Sequence, residues 1–180
     1  MSQNLNDCNF GKRDKKLARQ QGRLVMALIL VESTNIECVK AGDGGKALGC
    51  LQIHQSYWQD AQYQWRKEKG LRPPGSSGPP WFGSYADLTC REGWFHMNAC
   101  NYSKCIVHLY MRRWAKKRWT TNVKFSPATI AALHHLGRTA VAAGPTNGAW
   151  SSDHARYEEK VKREGNYTDE EWGTIDWKEV

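Results

Sequence analysis

Several features are absent from this chain of 180 residues, and each absence argues against a class of protein. No run of about 18 apolar residues occurs, so the sequence predicts no transmembrane helix. Residues 1–23 are polar and charged without an apolar centre, which predicts no secretory signal in this chain. No two cysteines have the spacing Cys-x-x-Cys, so a zinc site has little support. No nucleic-acid-binding motif accompanies the basic residues, and nucleic acid is disfavoured as a partner.

What the chain does have is the length of one domain and a formal net charge of +8. That charge attracts polyanions. The basic residues are concentrated in Lys12 to Arg23 and in Arg112 to Arg118. Both runs are also typical of solvated helix faces, so this alternative stays open. We expect peptidoglycan, another anionic polysaccharide or an acidic protein as partner, and neither a cofactor nor a metal.

Glu32 ends an apolar segment that has helical periodicity. It lies one turn beyond Leu28 and two turns beyond Val25 on the same helix face. This spacing directs the carboxyl group towards the core, where apolar surroundings disfavour the charged form and raise a carboxyl pKa. A general acid needs such a carboxyl group. The alternative is that the helix simply ends at Glu32 and the side chain points to solvent.

A glycine-rich segment follows, and it predicts a β-hairpin. Asp43-Gly44-Gly45 stands between two short runs of mixed apolar residues, as in tight hairpin turns. Gly49, within the second run, suits a close backbone approach or a bulge. Asp43 is either a plain turn aspartate or a second carboxylate close to Glu32. Paired carboxyl groups with different environments are what the cleavage of glycosidic bonds requires.

These segments resemble the lysozyme superfamily, and most closely the invertebrate-type lysozymes and their relatives in bacteria and phages. The resemblance is carried by Val31-Glu32-Ser33, by the run from Gly42 to Ile53 and by Tyr57-Trp58. Gly49-Cys50-Leu51-Gln52-Ile53 is similar to the Gly-x-x-Gln-Ile hairpin of goose-type lysozymes and lytic transglycosylases. Weaker similarities extend the match to about residue 163.

The resemblance implies a muramidase that cleaves the glycan strands of peptidoglycan. Glu32 would be the general acid and Asp43 the second catalytic carboxylate. The candidate substrate-binding residues are Gln52, His54, Tyr57, Trp58 and His134. The two histidines are also typical of hydrogen-bonded scaffold residues. Aromatic rings stack on sugar rings, although most of the nine tryptophans are expected in the core.

Two other functions stay open. The chain departs from the family pattern where six residues, 138–143, interrupt the His134 segment, and a stretch of Pro, Gly and Ser at 72–80 has the character of an inserted loop. The interrupted His134 segment and the missing secretory signal favour a non-catalytic lysozyme-fold protein that serves as a structural or binding component. A lytic transglycosylase is the third reading. An active lysozyme would be secreted or released by lysis, whereas a structural component would stay inside the cell.

The six cysteines are even in number, and the resemblance hints at disulfides. If Gly44 is the centre of the turn, Cys38 and Cys50 lie opposite each other, so we expect a Cys38–Cys50 bond. Free buried thiols are the alternative.

The predicted fold class is α+β and mainly α-helical, a lysozyme-like fold with a small hairpin beside an active-site cleft. One domain is expected over residues 1–165, followed by an acidic tail at 166–180 that contains Trp172 and Trp177 and folds back on the basic body. The predicted elements are helices at 13–33, 55–69, 87–97, 101–118, 126–136 and 151–164, and a hairpin at 37–53.

Overall fold

The computed structural model describes residues 14–72 and 81–180. Most of the expected loop insertion at 72–80, and the start of the first basic run at Lys12, lie outside the described residues. Those residues are mainly helical and carry one two-stranded antiparallel sheet, which confirms the predicted mainly helical α+β class. They form two compact units. Unit 1 contains residues 32–72 and 81–113, and unit 2 contains residues 14–31 and 114–180.

The elements follow one another in a simple order. The α-helices are α1 (Lys15–Ser33), α2 (Gln55–Glu68), α3 (His96–Trp114), α4 (Lys116–Thr120), α5 (Pro127–Leu136), α6 (Arg138–Ala143), α7 (Ser152–Glu164) and α8 (Asp169–Trp172). The strands are β1 (Ala47–Leu48) and β2 (Ile53–His54), and short 3-10 helices cover Asp43–Gly45, Tyr85–Leu88 and Trp177–Glu179. Within the described ranges, none of these helices combines the length and the apolar character that crossing a membrane requires.

The hairpin of unit 1 differs from the predicted one in its turn. Strand β1 pairs with β2 in the register Ala47 opposite His54 and Leu48 opposite Ile53, so the turn between the strands is formed by residues 49–52. Asp43–Gly45 is a separate 3-10 turn, closed by mutual backbone hydrogen bonds between Gly42 and Ala47 at 2.9 and 3.1 Å. The predicted centre at Gly44 is therefore wrong.

Gly49 supports the hairpin by a close approach, as its sequence position indicated. Its φ is +76°, and a Cβ at this position would overlap the carbonyl oxygen of Leu88 and the Ser103 hydroxyl group. Only glycine fits both the backbone conformation and the available space. The contact holds the hairpin turn against the 3-10 helix Tyr85–Leu88 and against α3.

The disulfides of unit 1 correct the predicted Cys38–Cys50 bond. Cys38 is bonded to Cys90, and Cys50 is bonded to Cys100 on α3. The prediction was wrong because it depended on a turn centred at Gly44. Cys50 lies instead in the 49–52 turn and is buried against α3, whereas Cys38 is exposed. Cys105 is also disulfide-bonded, so no described cysteine is a free thiol.

Two predicted helices have different bounds. The helix expected at 87–97 does not form: the 3-10 helix Tyr85–Leu88 and a bridge between Arg91 and Trp94 replace it, and α3 begins at His96. The helix expected at 101–118 is divided, because Ala115 has the non-helical angles φ −133° and ψ 38°. The other predicted helices agree with α1, α2, α5 and α7 to within two residues.

Unit 2 is built around α5, which is buried along most of its length. Its fully buried residues include Trp119, Ile130, Leu133, Val141, His154 and Val161. The Gln21 amide of α1 donates to the Trp119 carbonyl at 2.9 Å, and this hydrogen bond joins α1 to α4. The six residues 138–143, which appeared as an interruption, are α6, bounded by Gly137 and Gly144 with φ near +79°.

The acidic tail folds back on unit 2, as its charge indicated. Arg23 of α1 binds Glu171 at 3.1 Å, and Arg118 of α4 forms ion pairs with Asp176 and with Glu179. The indole of Trp172 is buried and donates to Glu158 at 2.6 Å.

Much of the predicted basic surface is neutralised within the units. In unit 1, the buried Arg112 binds Glu68 through two hydrogen bonds of 2.8 and 2.7 Å, and Arg113 binds Asp60 at 3.0 Å. The run from Arg112 to Arg118 is therefore not one free cationic patch. Lys116 and Lys117 remain exposed on α4.

Candidate functional site

Glu32 occupies the last turn of α1 and is half-buried. Its neighbour Ser33 is buried, and the Ser33 hydroxyl donates to the Cys50 carbonyl at 2.9 Å. This hydrogen bond attaches the end of the helix to the hairpin turn. The position of Glu32 is therefore set by the α1 terminus and by the disulfide-bonded turn together, as a positioned catalytic group requires.

Two stacked tyrosines mark the surroundings of Glu32. Tyr57 of α2 and Tyr110 of α3 have ring centroids 3.6 Å apart and rings 10° from parallel. Burial raises the pKa of the Tyr57 hydroxyl well above its ordinary value, and the nearby Tyr110 and the negative charge of Glu32 raise it further. The Glu32 carboxyl group thus lies close enough to a buried, largely apolar ring pair to interact with it electrostatically. Tyr57 itself is buried, which suits a supporting role better than broad contact with substrate.

Asp43 is held in a strained and exposed turn. It begins the 3-10 helix Asp43–Gly45 with a φ of +48°, a value that non-glycine residues rarely adopt. Its side chain is 65% exposed, so water can reach the carboxylate. Strain of this kind persists only where the surrounding structure enforces it, and it is more frequent at functional sites.

His54 is the partner of Asp43. Nε2 of His54 lies 3.5 Å from Oδ2 of Asp43, and the imidazole is 48% exposed. The pair forms because the 3-10 turn and strand β2 both adjoin Ala47, the register partner of His54. Two predicted site residues from different parts of the segment are thereby brought together.

The Gln52 side chain forms hydrogen bonds with the backbone in and near the 49–52 turn. Its amide donates to the carbonyl oxygens of Gly49 at 2.9 Å and of Lys40 at 3.4 Å. Its Oε1 occupies the space where a Cβ of Gly42 would lie, so a larger residue at position 42 would displace the Gln52 side chain. The donors of Gln52 are directed at the backbone, and its predicted contact with substrate stays a prediction.

Trp58 lies on α2 in a group of aromatic residues that also contains Trp81 and Tyr85. The ring centroids of Trp58 and Trp81 are 5.9 Å apart, and those of Trp58 and Tyr85 are 6.1 Å apart. Sequence reasoning missed Trp81 and Tyr85, because they follow the loop that had the character of an insertion. The signal that points to them is the exposure of Trp81, which only the tertiary structure reveals.

His134 lies on α5 of unit 2, whereas the other candidate residues lie in unit 1. Its contact with substrate stays a prediction. Residues 14–72 and 81–180 contain no group of three or more His, Cys, Asp or Glu side chains that could hold a metal ion.

Unit 1 therefore presents two carboxyl groups in contrasting environments. Glu32 is half-buried and interacts with a buried tyrosine pair, whereas Asp43 is exposed and lies beside an imidazole. Contrasting surroundings of two carboxyl groups are a feature of sites in which the two groups have different chemical roles. No family model, curated protein or solved structure matches this chain.

Proposed function

We propose that this protein is a glycoside hydrolase of the lysozyme type, which cleaves the glycan strands of bacterial peptidoglycan. The observation that carries this proposal is the contrast between the half-buried Glu32 and the exposed Asp43 within one compact unit. The resemblance of the segment from Val31 to Trp58 to lysozymes supports it.

Glu32 is the general acid of the proposed reaction. In its protonated form it donates a proton to the glycosidic oxygen, which leaves with the electron pair of the broken C–O bond. The neighbouring Tyr57 stays neutral in the working pH range because burial raises its pKa. A neutral, largely apolar neighbour favours the uncharged form of the carboxyl group.

Asp43 stabilises the positive charge that develops on the sugar, either as a nucleophile or as the base that activates water. Its exposure leaves room for the sugar or for the water. His54 contacts the carboxylate through Oδ2 at 3.5 Å.

The test is the loss of turbidity of a suspension of purified peptidoglycan, with protein produced under oxidising conditions. Glu32→Gln preserves the shape of the side chain and removes the acidic proton, so the lytic rate should fall by about 10²-fold or more. Glu37→Gln is the matched control, because Glu37 is an exposed carboxylate five residues further along the chain. This control should lyse at the parent rate.

Co-sedimentation with the same walls separates catalysis from binding. Glu32→Gln should still sediment with peptidoglycan, since a general acid acts mainly in the transition state. Near-parent lysis by Glu32→Gln would contradict the assignment of Glu32. A parent protein that neither binds nor cuts peptidoglycan would overturn the proposed function in favour of a structural component.

A further inference from the structure

An aromatic surface adjoins the hairpin of unit 1, and no part of the proposed acid–base chemistry uses it. It consists of the rings of Trp58, Trp81 and Tyr85, which we call the aromatic platform. Trp81 is 41% exposed, and the other two rings are partly exposed. Adjacent centroids are 5.9 and 6.1 Å apart. Partly exposed aromatic rings that lie together are candidates for contact with a ligand.

The polar atoms of Trp58 and Tyr85 are bound within the protein. Nε1 of Trp58 donates to the Tyr102 hydroxyl at 2.9 Å. The Tyr85 hydroxyl lies 2.7 Å from the Lys46 carbonyl oxygen and 2.9 Å from that of Ile53, so these two contacts hold it at the hairpin. Both rings are thereby fixed in orientation, and it is their faces rather than their polar edges that remain for a ligand.

Contacts of the neighbouring Phe82 and of Arg66 hold Trp81 in place. The main chain of Phe82 is clamped by the Gln62 amide, which accepts from Phe82 N and donates to Phe82 O, both at 2.8 Å. The guanidinium of the buried Arg66 lies 5.4 Å from the centroid of the Trp81 ring. This cation–π contact holds the indole against the protein.

The platform is continuous with the proposed catalytic hairpin. The Tyr85 hydroxyl contacts the carbonyl of Ile53, which immediately precedes His54, and His54 contacts Asp43. A ligand chain that leaves the Asp43–His54 pair along this side of the hairpin therefore meets aromatic faces next. A saccharide fits such a surface, because the C–H face of a pyranose ring packs on an aromatic face while its hydroxyl groups stay in water.

We propose that the aromatic platform is a saccharide-binding subsite that holds N-acetylated pyranose rings of the glycan beside the catalytic hairpin. This inference rests on the proposed function for the identity of the glycan. Binding energy from such a remote subsite positions the scissile bond and so contributes to the rate as well as to affinity.

The test is isothermal titration calorimetry with N-acetylchitotetraose, a chain of four β-linked N-acetylglucosamine rings. Trp81→Ala should weaken binding by about tenfold, because it removes one stacking face. Trp81→Phe should recover part of this loss, since a smaller ring remains. Phe95→Ala is the control: Phe95 is a 69% exposed aromatic residue of the same unit outside the platform, and its removal should leave binding unchanged.

Circular dichroism and the thermal midpoint of each variant show whether the fold is intact. Parent-like affinity of a folded Trp81→Ala variant, or an equal loss in Phe95→Ala, would overturn the subsite. A parent protein that binds a proline-rich peptide at the platform and not the tetrasaccharide would also overturn it. Loss of binding in Trp81→Ala together with full lysis by Glu32→Gln would leave the subsite standing and remove the proposed catalytic acid. Full binding by Trp81→Ala together with loss of lysis by Glu32→Gln would overturn the subsite and leave Glu32 as the proposed catalytic acid.

Discussion

Nε2 of His54 lies 3.5 Å from Oδ2 of Asp43, although the two residues are eleven positions apart in the chain. The contact exists because the 3-10 turn at Asp43 closes on Ala47, which is also the register partner of His54. It joins an exposed carboxylate to an imidazole beside the proposed site of bond cleavage.

Asp43→Asn should lower the rate of peptidoglycan lysis by at least about tenfold, because the amide cannot carry the negative charge that stabilises the sugar cation. His54→Gln should have a smaller effect, since His54 acts through Asp43. Turbidity assays measure both rates. If Asp43→Asn lyses walls as fast as the parent, Asp43 is only a turn residue. Products that end in anhydro-sugars would instead indicate a transglycosylase that uses Glu32 alone.

The Tyr57 hydroxyl reports on the charge of Glu32. Burial, Tyr110 and Glu32 all raise the pKa of Tyr57, with burial the largest cause. Glu32→Gln removes one source of negative charge, so the pKa of Tyr57 should fall in this variant while remaining above its ordinary value. Titration of the ¹³Cζ chemical shift of labelled tyrosine measures the change, with Glu37→Gln as the comparison. An unchanged Tyr57 titration would contradict the proximity of the two side chains.

The Cys38–Cys90 disulfide should open before the Cys50–Cys100 disulfide in mild reductant. Cys38 is exposed, whereas Cys50 and Cys100 of the second bond are both buried, and access governs thiol–disulfide exchange. Alkylation and mass spectrometry over time give the order of opening.

Lytic activity should fall with the opening of the Cys38–Cys90 bond, because Cys38 anchors the segment that connects Glu32 with Asp43. The double variant Cys38→Ser and Cys90→Ser should lose about 2–4 kcal/mol of unfolding free energy. Parent-like activity of this folded double variant would show that the bond does not position the site.

Unit 2 should lose stability in acid through a histidine pair. Nδ1 of His135 lies 3.0 Å from Nδ1 of His154, and the two rings stack. Burial lowers the pKa of both imidazoles, and the proximity of His154 lowers that of His135 further, although Asp153 acts in the opposite direction. Two protonated rings at this separation would repel each other.

The direction of the pH dependence of stability follows from proton uptake. Below the ordinary histidine pKa of about 6.5, the unfolded chain binds protons that the folded pair does not, so stability falls as the pH drops through this value. His135→Gln should reduce the decrease in thermal midpoint between pH 7 and pH 5. Some decrease should remain, because burial lowers the pKa of His108 in unit 1 to about 4. Equal pH dependence in the variant and the parent would contradict this role of the pair.

The sequence by itself determined the main helices and the candidate residues. Apolar residues recur at helical spacing in α1, α2 and α7, α5 is a continuous apolar run that begins with Pro127, and Ser151 caps α7 through a hydrogen bond from His154 N, so local signals were sufficient there. The close backbone approach at Gly49 was also predictable from the sequence, since a glycine within a strand pattern indicates such an approach. Glu32 was visible as a carboxyl group at the end of an apolar helical stripe and Asp43 as part of a hairpin signal, and the resemblance to lysozymes gave them their expected roles.

Only the tertiary structure decided the pairings. The turn between β1 and β2 follows Leu48 and is not centred at Gly44. Because of this displacement, Cys50 forms its disulfide bond with Cys100, and Cys38 forms its disulfide bond with Cys90. Both turns contain residues that accept positive φ, so local propensity does not distinguish them. Contacts with α3 and with the 3-10 helix at Tyr85 decide between them. The aromatic platform has the same origin, because it joins Trp58 to residues more than twenty positions away, and no local pattern encodes such a contact.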